Sequence, residues 1–221
     1  RSSRGLGDVY KRQCDVSLEP ENKYSIENLI KNINRDIGNL DFVVHALAYS
    51  NKEELKGKYL ETSRQNFLST LDVSTYSFTR IAKSASEIMP NGGSLLTLTY
   101  VGSNKTTPNY NVMGVAKAAL ETSVKYLSVD LGKNNIRVNA ISAGPMKTLA
   151  GAAISGARHV FKYSEKISPL QKNPDLEQVG NAALYLLSDI SSGVTGLTHY
   201  VDGGLKIVGI PNQDLVNIWL F

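Results

Sequence analysis

The 221-residue sequence predicts a single α/β domain built on a doubly wound parallel sheet. Short and nearly continuous apolar segments, which are typical of strands buried on both faces, alternate with longer segments of helical periodicity. The hydrophobic content of 42% and the charged content of 20% are ordinary for one globular domain. No internal repeat or low-complexity linker divides the chain, so we expect no second domain.

The first half of the sequence predicts two helices, each followed by a strand. SIENLIKNINRDIG, residues 25–38, places its isoleucine and leucine side chains at helical spacing. LDFVVHAL, residues 40–47, is almost continuously apolar and predicts a buried strand. Residues 61–89 predict a long helix that ends at the Pro-Asn-Gly-Gly sequence of residues 90–93. SLLTLTY, residues 94–100, predicts the second buried strand.

The second half repeats this alternation. Residues 112–131 predict a helix that stops at a glycine, and IRVNAISAG, residues 136–144, predicts a third strand. Residues 174–187 predict a helix with Asn173 as its N-cap and a proline at its first position. THYVDGG, residues 198–204, predicts the fourth strand.

Composition and charge argue against several kinds of protein. The sequence has no run of 18 apolar residues and no apolar segment typical of a secretory signal, so we expect a cytoplasmic protein that does not enter a membrane. Cys14 is the single cysteine, so neither an internal disulfide nor a cysteine metal site is expected, and we predict no metal. Of the net charge of +4, four basic residues against one acidic residue place +3 within residues 1–13. The rest of the chain lacks the basic stripe of a nucleic-acid-binding protein.

The segment RSSRGLGDVYKRQ, residues 1–13, has no clear helical or strand periodicity and meets the α/β pattern abruptly at Cys14. We therefore interpret residues 1–13 as a non-native leader and residues 14–221 as the domain.

Candidate site residues follow the predicted strands, because ligands of an open parallel sheet bind outside the carboxyl ends of its strands. TYVGSNKTTPNYNVMGVAKAAL contains Tyr100, Tyr110 and Lys117. If a helix starts near Asn111, Tyr110 and Lys117 lie about two turns apart and face the same way. A nearby ammonium lowers the pKa of a tyrosine, so this pair can polarise and protonate an oxygen. Spacing alone leaves open a second interpretation, in which both tyrosines are half-buried anchors beside an exposed lysine.

The wider pattern resembles a known family. TLTYVGSNKTTPNYNVMGVAKAALE, followed by IRVNAISAGPMKTLA, is similar to the enoyl-[acyl-carrier-protein] reductases of bacterial type II fatty-acid synthesis, which belong to the short-chain dehydrogenase/reductase superfamily. In most of that superfamily a tyrosine precedes the lysine by four positions. Met113 occupies that position here, and the tyrosine lies farther back at Tyr110, as in the enoyl reductase branch. The resemblance extends over residues 14–210 and includes CDV, VVHALAYSNKEELKG and THYVDGG.

This resemblance implies the reduction of a trans-2-enoyl-acyl-carrier-protein to the saturated acyl thioester, the last step of the elongation cycle, with NADH favoured over NADPH. Tyr110 would hydrogen-bond the thioester carbonyl oxygen, and Lys117 would bind the nicotinamide ribose. Tyr100 and Ser50 would lie on the substrate side. The other residues implied to contact the cofactor are Asp15, Val16, Leu47, Ala48, Met146, Lys147, Thr148, Leu149 and Ala150. Acyl carrier protein is the implied partner, and a homotetramer is the implied assembly.

The family plan also implies a Rossmann-type sheet of seven parallel strands, of which only the last four are readable here. Gly5 and Gly7 make no dinucleotide fingerprint, because no strand precedes them and no helix pattern follows. We therefore expect a sheet that is incomplete at its amino-terminal end, and a chain that binds the dinucleotide weakly when made alone.

Two alternatives to the enoyl reductase remain open. One is a superfamily reductase that acts on 3-oxoacyl thioesters, and the other is an inactive fragment that occupies a subunit interface. Simpler structural roles also remain for individual residues: Asp15 as a turn residue, Leu47 as core and Thr148 as a helix N-cap. His45, within an apolar strand, is interpreted as a hydrogen-bonded core histidine.

Overall fold

The computed structural model describes residues 12–148 and 155–212. Within them, four parallel strands form one sheet in the order β1-β2-β3-β4. The strands are β1 (Phe42–His45), β2 (Gly93–Thr99), β3 (Ile136–Ala143) and β4 (Thr198–Val201). The helices are α1 (Ile26–Asp36), α2 (Arg64–Leu71), α3 (Ser77–Ser86), α4 (Asn111–Gly132), α5 (Ala157–Ile167) and α6 (Leu176–Leu187). This architecture confirms the predicted α/β fold with a parallel sheet.

The sheet is covered on both faces, as the unbroken apolar strands predict. Leu95 of β2 packs into a core that includes Phe78 of α3 and Leu120 of α4. The next residue, Leu96, packs into a second core that includes Val179 and Leu186 of α6. Successive side chains of a strand point to opposite faces, so one apolar segment supplies both cores.

The carboxyl ends of the strands lie along one edge of the sheet. β2 pairs with β3 over its whole length, so that Thr99 lies opposite Ser142. The last pair on the other side of β3 is Ala143 with Val201. β1 is shorter than predicted and pairs through His45 with Thr97. The segments that leave these ends are therefore the ones brought together for a ligand.

The long helix predicted over residues 61–89 is divided by a π-helical turn, Asp72–Tyr76, between α2 and α3. Within this turn the Thr75 hydroxyl donates a 2.8 Å hydrogen bond to the Ala116 carbonyl oxygen of α4. Such turns often mark functional sites, and this one contacts α4 next to Lys117.

The N-cap predicted for α6 is wrong by two residues. Asp175 caps the helix by accepting from the Gln178 backbone N–H at 2.8 Å, and the Gln178 side chain accepts from the Asp175 N–H in return. Asn173 instead accepts from the Ser164 hydroxyl at 2.6 Å and donates to the Phe161 carbonyl oxygen at 2.7 Å. These two hydrogen bonds of the Asn173 side chain connect the segment before α6 to α5.

Arg80 of α3 joins the segment before α1 to the body of the domain. Its guanidinium donates to the Val16 carbonyl oxygen at 3.0 Å and to the Leu18 carbonyl oxygen at 2.8 Å. It also forms a two-bond ion pair with Glu27 of α1, at 2.8 and 3.2 Å. The side chains are mostly buried, with 12% of Arg80 and 25% of Glu27 exposed. None of the described helices is long and apolar enough to cross a membrane.

Candidate active site

Two aromatic rings meet at the carboxyl end of β2. Tyr100 leaves that strand, and Tyr110 immediately precedes α4. Their ring centroids are 5.2 Å apart at an interplanar angle of 67°, an edge-to-face contact. Tyr110 is buried, with 7% of its surface exposed, and packs with Met113, Ala116 and Leu55. The fold therefore brings the two tyrosines into direct contact.

The loop after Tyr100 approaches α4 without room for a side chain. A β-carbon added at Gly102 would lie 2.5 Å from Cδ1 and 2.7 Å from Cε1 of the Tyr110 ring. One added at Gly114 would lie 2.8 Å from the Gly102 carbonyl oxygen. Both glycines are therefore required by close approach, and together they enclose one side of Tyr110.

Lys117 is buried, not exposed, which removes the interpretation of it as a solvent-facing lysine. It is 6% exposed, and its Nζ donates a 2.8 Å hydrogen bond to the Leu98 carbonyl oxygen of β2. An ammonium carries three N–H donors, so this contact leaves two for a ligand. Burial lowers the pKa of Lys117 to about 8, while the charge of Glu121 acts in the opposite direction.

The expectation that the lysine charge lowers the pKa of the tyrosine is wrong for Tyr110. Burial raises the pKa of the Tyr110 hydroxyl well above its usual range, and interactions with Tyr100 and Glu121 raise it further. Burial also raises the pKa of Tyr100. Tyr110 is therefore a protonated phenol at neutral pH, suited to donating a hydrogen bond and not to acting as a phenolate base.

His45 is the hydrogen-bonded core histidine that the sequence suggests. Its Nδ1 lies 2.8 Å from the Thr97 hydroxyl and its Nε2 lies 2.9 Å from the Ser77 hydroxyl. The Ser77 hydroxyl also donates to the Val73 carbonyl oxygen at 2.7 Å, and the Thr97 hydroxyl donates to the His45 carbonyl oxygen at 3.3 Å. Burial, and then the charge of Lys117, lower the pKa of His45 to about 4. It is neutral at physiological pH.

Two of the residues expected at the cofactor lie in one groove. Val16 and Leu47 line an apolar groove of about 430 Å³ beside β1. Leu47 is 41% exposed there, so it is not a core residue. Asp15 is exposed, and its carboxylate accepts from both the N–H and the hydroxyl of Ser17, at 3.0 and 2.7 Å. These hydrogen bonds lower the pKa of Asp15, and they form the turn that its simpler interpretation requires.

Ser50, expected on the substrate side, is fixed by α2. Its hydroxyl accepts from Thr70 at 3.0 Å and lies 3.3 Å from the side-chain oxygen of Asn66. Asn66 also accepts from the Asn51 backbone N–H at 2.9 Å. The segment that follows β1 is therefore positioned by side chains that the sequence did not single out.

The expected nicotinamide loop is described only in its first part. Met146 packs against the α6 core, and the ammonium of Lys147 lies 5.2 Å from the Phe161 ring centroid. Thr148 donates its N–H to the Met146 carbonyl oxygen at 3.0 Å, and the helix start that its N-cap interpretation requires would lie outside the described residues. The remaining two expected contacts, Leu149 and Ala150, lie outside the described residues.

The fold also brings in residues that sequence reasoning missed. Glu121 lies one helical turn beyond Lys117, and its carboxylate accepts from Thr99 at 2.7 Å and from Ser103. The spacing of four residues from the lysine is the one signal that could have indicated it. Ser142, at the end of β3, has a buried hydroxyl that finds no hydrogen-bond partner among the described residues. No group of three metal-ligating side chains occurs in the part of the chain that the structure describes.

Comparisons with known proteins agree with one another. Residues 2–206 match the family model described as enoyl-(acyl carrier protein) reductase. The chain is 53% identical over 213 residues to enoyl-[acyl-carrier-protein] reductase [NADH] 1 of Rhizobium meliloti, covering 96% of this chain and 77% of that protein. It is 48% identical over 201 residues to the enoyl-[acyl-carrier-protein] reductase [NADPH] of Staphylococcus aureus, covering 91% of this chain and 77% of that protein.

A solved structure extends the likeness to three dimensions. The enoyl-(acyl-carrier-protein) reductase of Anaplasma phagocytophilum, solved in complex with NAD, aligns with a TM-score of 0.84 at 52% sequence identity. The alignment covers 91% of this chain and 73% of that one.

Proposed function

The chain belongs to the family of enoyl-[acyl-carrier-protein] reductases, and on that premise we propose that Tyr100, Tyr110 and Lys117 form its reducing site. The reaction is the reduction of a trans-2-enoyl thioester on acyl carrier protein to the saturated acyl thioester, with NADH as the reductant. The observation that carries the residue assignment is the meeting of a buried phenol, a second tyrosine and a buried ammonium at the carboxyl end of β2.

The residues present fit a dinucleotide. Lys117 is buried and retains two N–H donors beyond its bond to Leu98, which suits it to ribose hydroxyls. The Ser142 hydroxyl, which has no hydrogen-bond partner in the part of the chain that the structure describes, offers a further polar contact at the end of β3. Val16 and Leu47 supply apolar surface in one groove, where an adenine ring would find contacts. When bound, NADH supplies the hydride that reduces the β-carbon of the enoyl thioester.

Tyr110 acts on the other end of the conjugated substrate. As hydride adds to the β-carbon, negative charge develops on the thioester oxygen, and the protonated Tyr110 hydroxyl is suited to donating a hydrogen bond to that oxygen. Its raised pKa keeps the proton on the phenol until this charge appears. The buried Lys117 ammonium adds a positive charge in a site of low dielectric, where fixed charges act most strongly. Tyr100 holds the Tyr110 ring in place by edge contact and lines the substrate side.

Met113 argues against a 3-oxoacyl reductase. A tyrosine at this position, four residues before the lysine, would mark the commoner superfamily pattern. Met113 is instead buried beside Tyr110 in the apolar cluster of α4. A thioether there cannot protonate a carbonyl oxygen, so Tyr110 is the phenol available.

The test replaces the proposed donor. Tyr110→Phe keeps the ring and its packing but removes the hydroxyl, and we expect kcat for a trans-2-enoyl thioester to fall about 100-fold or more. The Michaelis constant for NADH, which Lys117 governs, should change little. NADH oxidation is followed with a trans-2-enoyl thioester and with a 3-oxoacyl thioester in parallel. Wild-type turnover of the 3-oxoacyl substrate alone would favour the alternative reductase. Co-assembly with a full-length relative without any turnover would favour the interface fragment.

We also propose that the protein acts in the cytoplasm as a homotetramer that takes its substrate from acyl carrier protein. Apolar side chains on two surfaces support an assembly, because such exposure is characteristic of subunit contacts. They are Leu68, Tyr76, Tyr126 and Val129 near α2 and α4, and Leu184 and Ile190 near α6, each at least half exposed. Sedimentation equilibrium of the protein tests this, and a monomer at micromolar concentration would contradict it.

A further inference from the structure

Glu121 joins α4 to both ends of the loop that carries Tyr100. Its carboxylate accepts from the Thr99 hydroxyl, at the end of β2, at 2.7 Å. It also accepts from the Ser103 hydroxyl, and from the Asn104 side-chain amide at 3.1 Å. Hydrogen bonds to a charged acceptor are stronger than neutral ones, so this carboxylate is the main polar anchor of the loop.

The anchored loop determines where Tyr110 lies. Tyr100, the residue after Thr99, contacts the Tyr110 ring by its edge at 5.2 Å. The backbone of Gly102 leaves no space beside the same ring, since a β-carbon there would overlap it. Release of the loop from Glu121 would therefore remove two of the contacts that hold the Tyr110 ring.

Glu121 also supplies negative charge near the buried cation. Among the described residues, Lys117 interacts electrostatically with Glu121 on its own helix and with His45 on β1. His45 is neutral above about pH 4, so it supplies no compensating charge. Glu121 opposes the loss of the Lys117 proton that burial favours. The same carboxylate thus supports the position of the phenol and the charge of the ammonium.

We propose that Glu121 is a positioning residue for the reaction, which fixes the Thr99–Asn104 loop against Tyr110. This inference rests on the proposed function of Tyr110 and Lys117. Glu121 acts through these residues and is not itself placed in contact with the reacting atoms.

The test compares Glu121→Gln with Asp130→Asn. The first variant keeps the size of the side chain and loses its charge, whereas the second loses one carboxylate charge from an exposed position on the same helix. We expect kcat of Glu121→Gln to fall about tenfold or more, in keeping with a small displacement of a catalytic group. In the pH profile of kcat, the alkaline limb of Glu121→Gln should lie at lower pH than that of wild type, because Lys117 loses its proton more readily. Asp130→Asn should match wild type in kcat and in the pH of the alkaline limb.

A second variant separates the loop from the charge. Ser103→Ala removes one hydrogen bond to Glu121 and retains the carboxylate, so we expect a smaller loss of kcat with an unchanged alkaline limb. NADH affinity is titrated by fluorescence across the same pH range, which reports the Lys117 charge even where turnover is absent. Wild-type protein that fails to reduce the enoyl thioester would contradict the proposed function. Active wild type with Glu121→Gln equal to it in kcat, alkaline limb and NADH titration would overturn this inference alone. A Glu121→Gln protein that is fully folded by thermal melting, but whose lost activity is matched by Asp130→Asn, would also overturn it.

Discussion

The enclosure of Tyr110 by backbone predicts that Gly102→Ala inactivates the enzyme without introducing any polar or charged group. The added β-carbon would lie 2.5 Å from Cδ1 of Tyr110 and 3.2 Å from Cδ1 of Tyr100. Ordinary carbon contacts are about 3.5 to 4.0 Å, so the ring must retreat by about 1 Å. A misplacement of about 1 Å of a reacting group reduces turnover about 100-fold. Overpacking of this kind also lowers the free energy of unfolding by about 1–3 kcal/mol.

Gly132→Ala is the matched control for this change. Gly132 ends α4, and a β-carbon added there meets nothing within 4 Å. Both variants are assayed by NADH oxidation with a trans-2-enoyl thioester and by urea denaturation. We expect wild-type kcat for Gly132→Ala and a loss of about 100-fold for Gly102→Ala. Wild-type turnover by Gly102→Ala would refute the reasoning, since it would mean that the loop yields and that Tyr110 does not depend on it.

Two further predictions concern groups outside the reducing site. Arg80→Met should lower the free energy of unfolding by about 2–3 kcal/mol, because Glu27 and two carbonyl oxygens lose their hydrogen-bond partner. The same variant should raise the Michaelis constant for NADH more than it lowers kcat. An unchanged midpoint in urea denaturation would contradict the stability prediction. The pKa of His45 is depressed to about 4, so only the unfolded chain takes up this proton between pH 6.5 and 4. The free energy of unfolding should therefore decrease as the pH is lowered from 6.5 to 4, by about 3 kcal/mol for this group. His45→Gln should show a correspondingly flatter dependence in urea titrations at each pH.

Sequence periodicity was sufficient for the architecture because strands buried on both faces must be apolar throughout. The segments at residues 40–47, 94–100, 136–144 and 198–204 each correspond to one of the four described parallel strands, although β2 begins one residue earlier than predicted, at Gly93. The ends of the helices were predicted less well from the sequence. Asn173 has the properties of an N-cap, but its amide is engaged by α5, and Asp175 two residues later makes the capping box instead. A cap residue is chosen by competition among local and tertiary partners, and only the local ones are visible in the sequence.

The amino-acid sequence by itself determined the fold class and the family, and it indicated the two tyrosines and the lysine as candidate site residues. What only the tertiary structure decided is their electrostatic state. Tyr110 keeps its proton because it is buried beside Tyr100 and Glu121, and the pKa of Lys117 falls to about 8 because its side chain is enclosed against β2. Burial and the distances between charges set these pKa values. Both depend on contacts between segments distant in the chain, as when Gly102 closes over Tyr110, so residue type and spacing could not specify them.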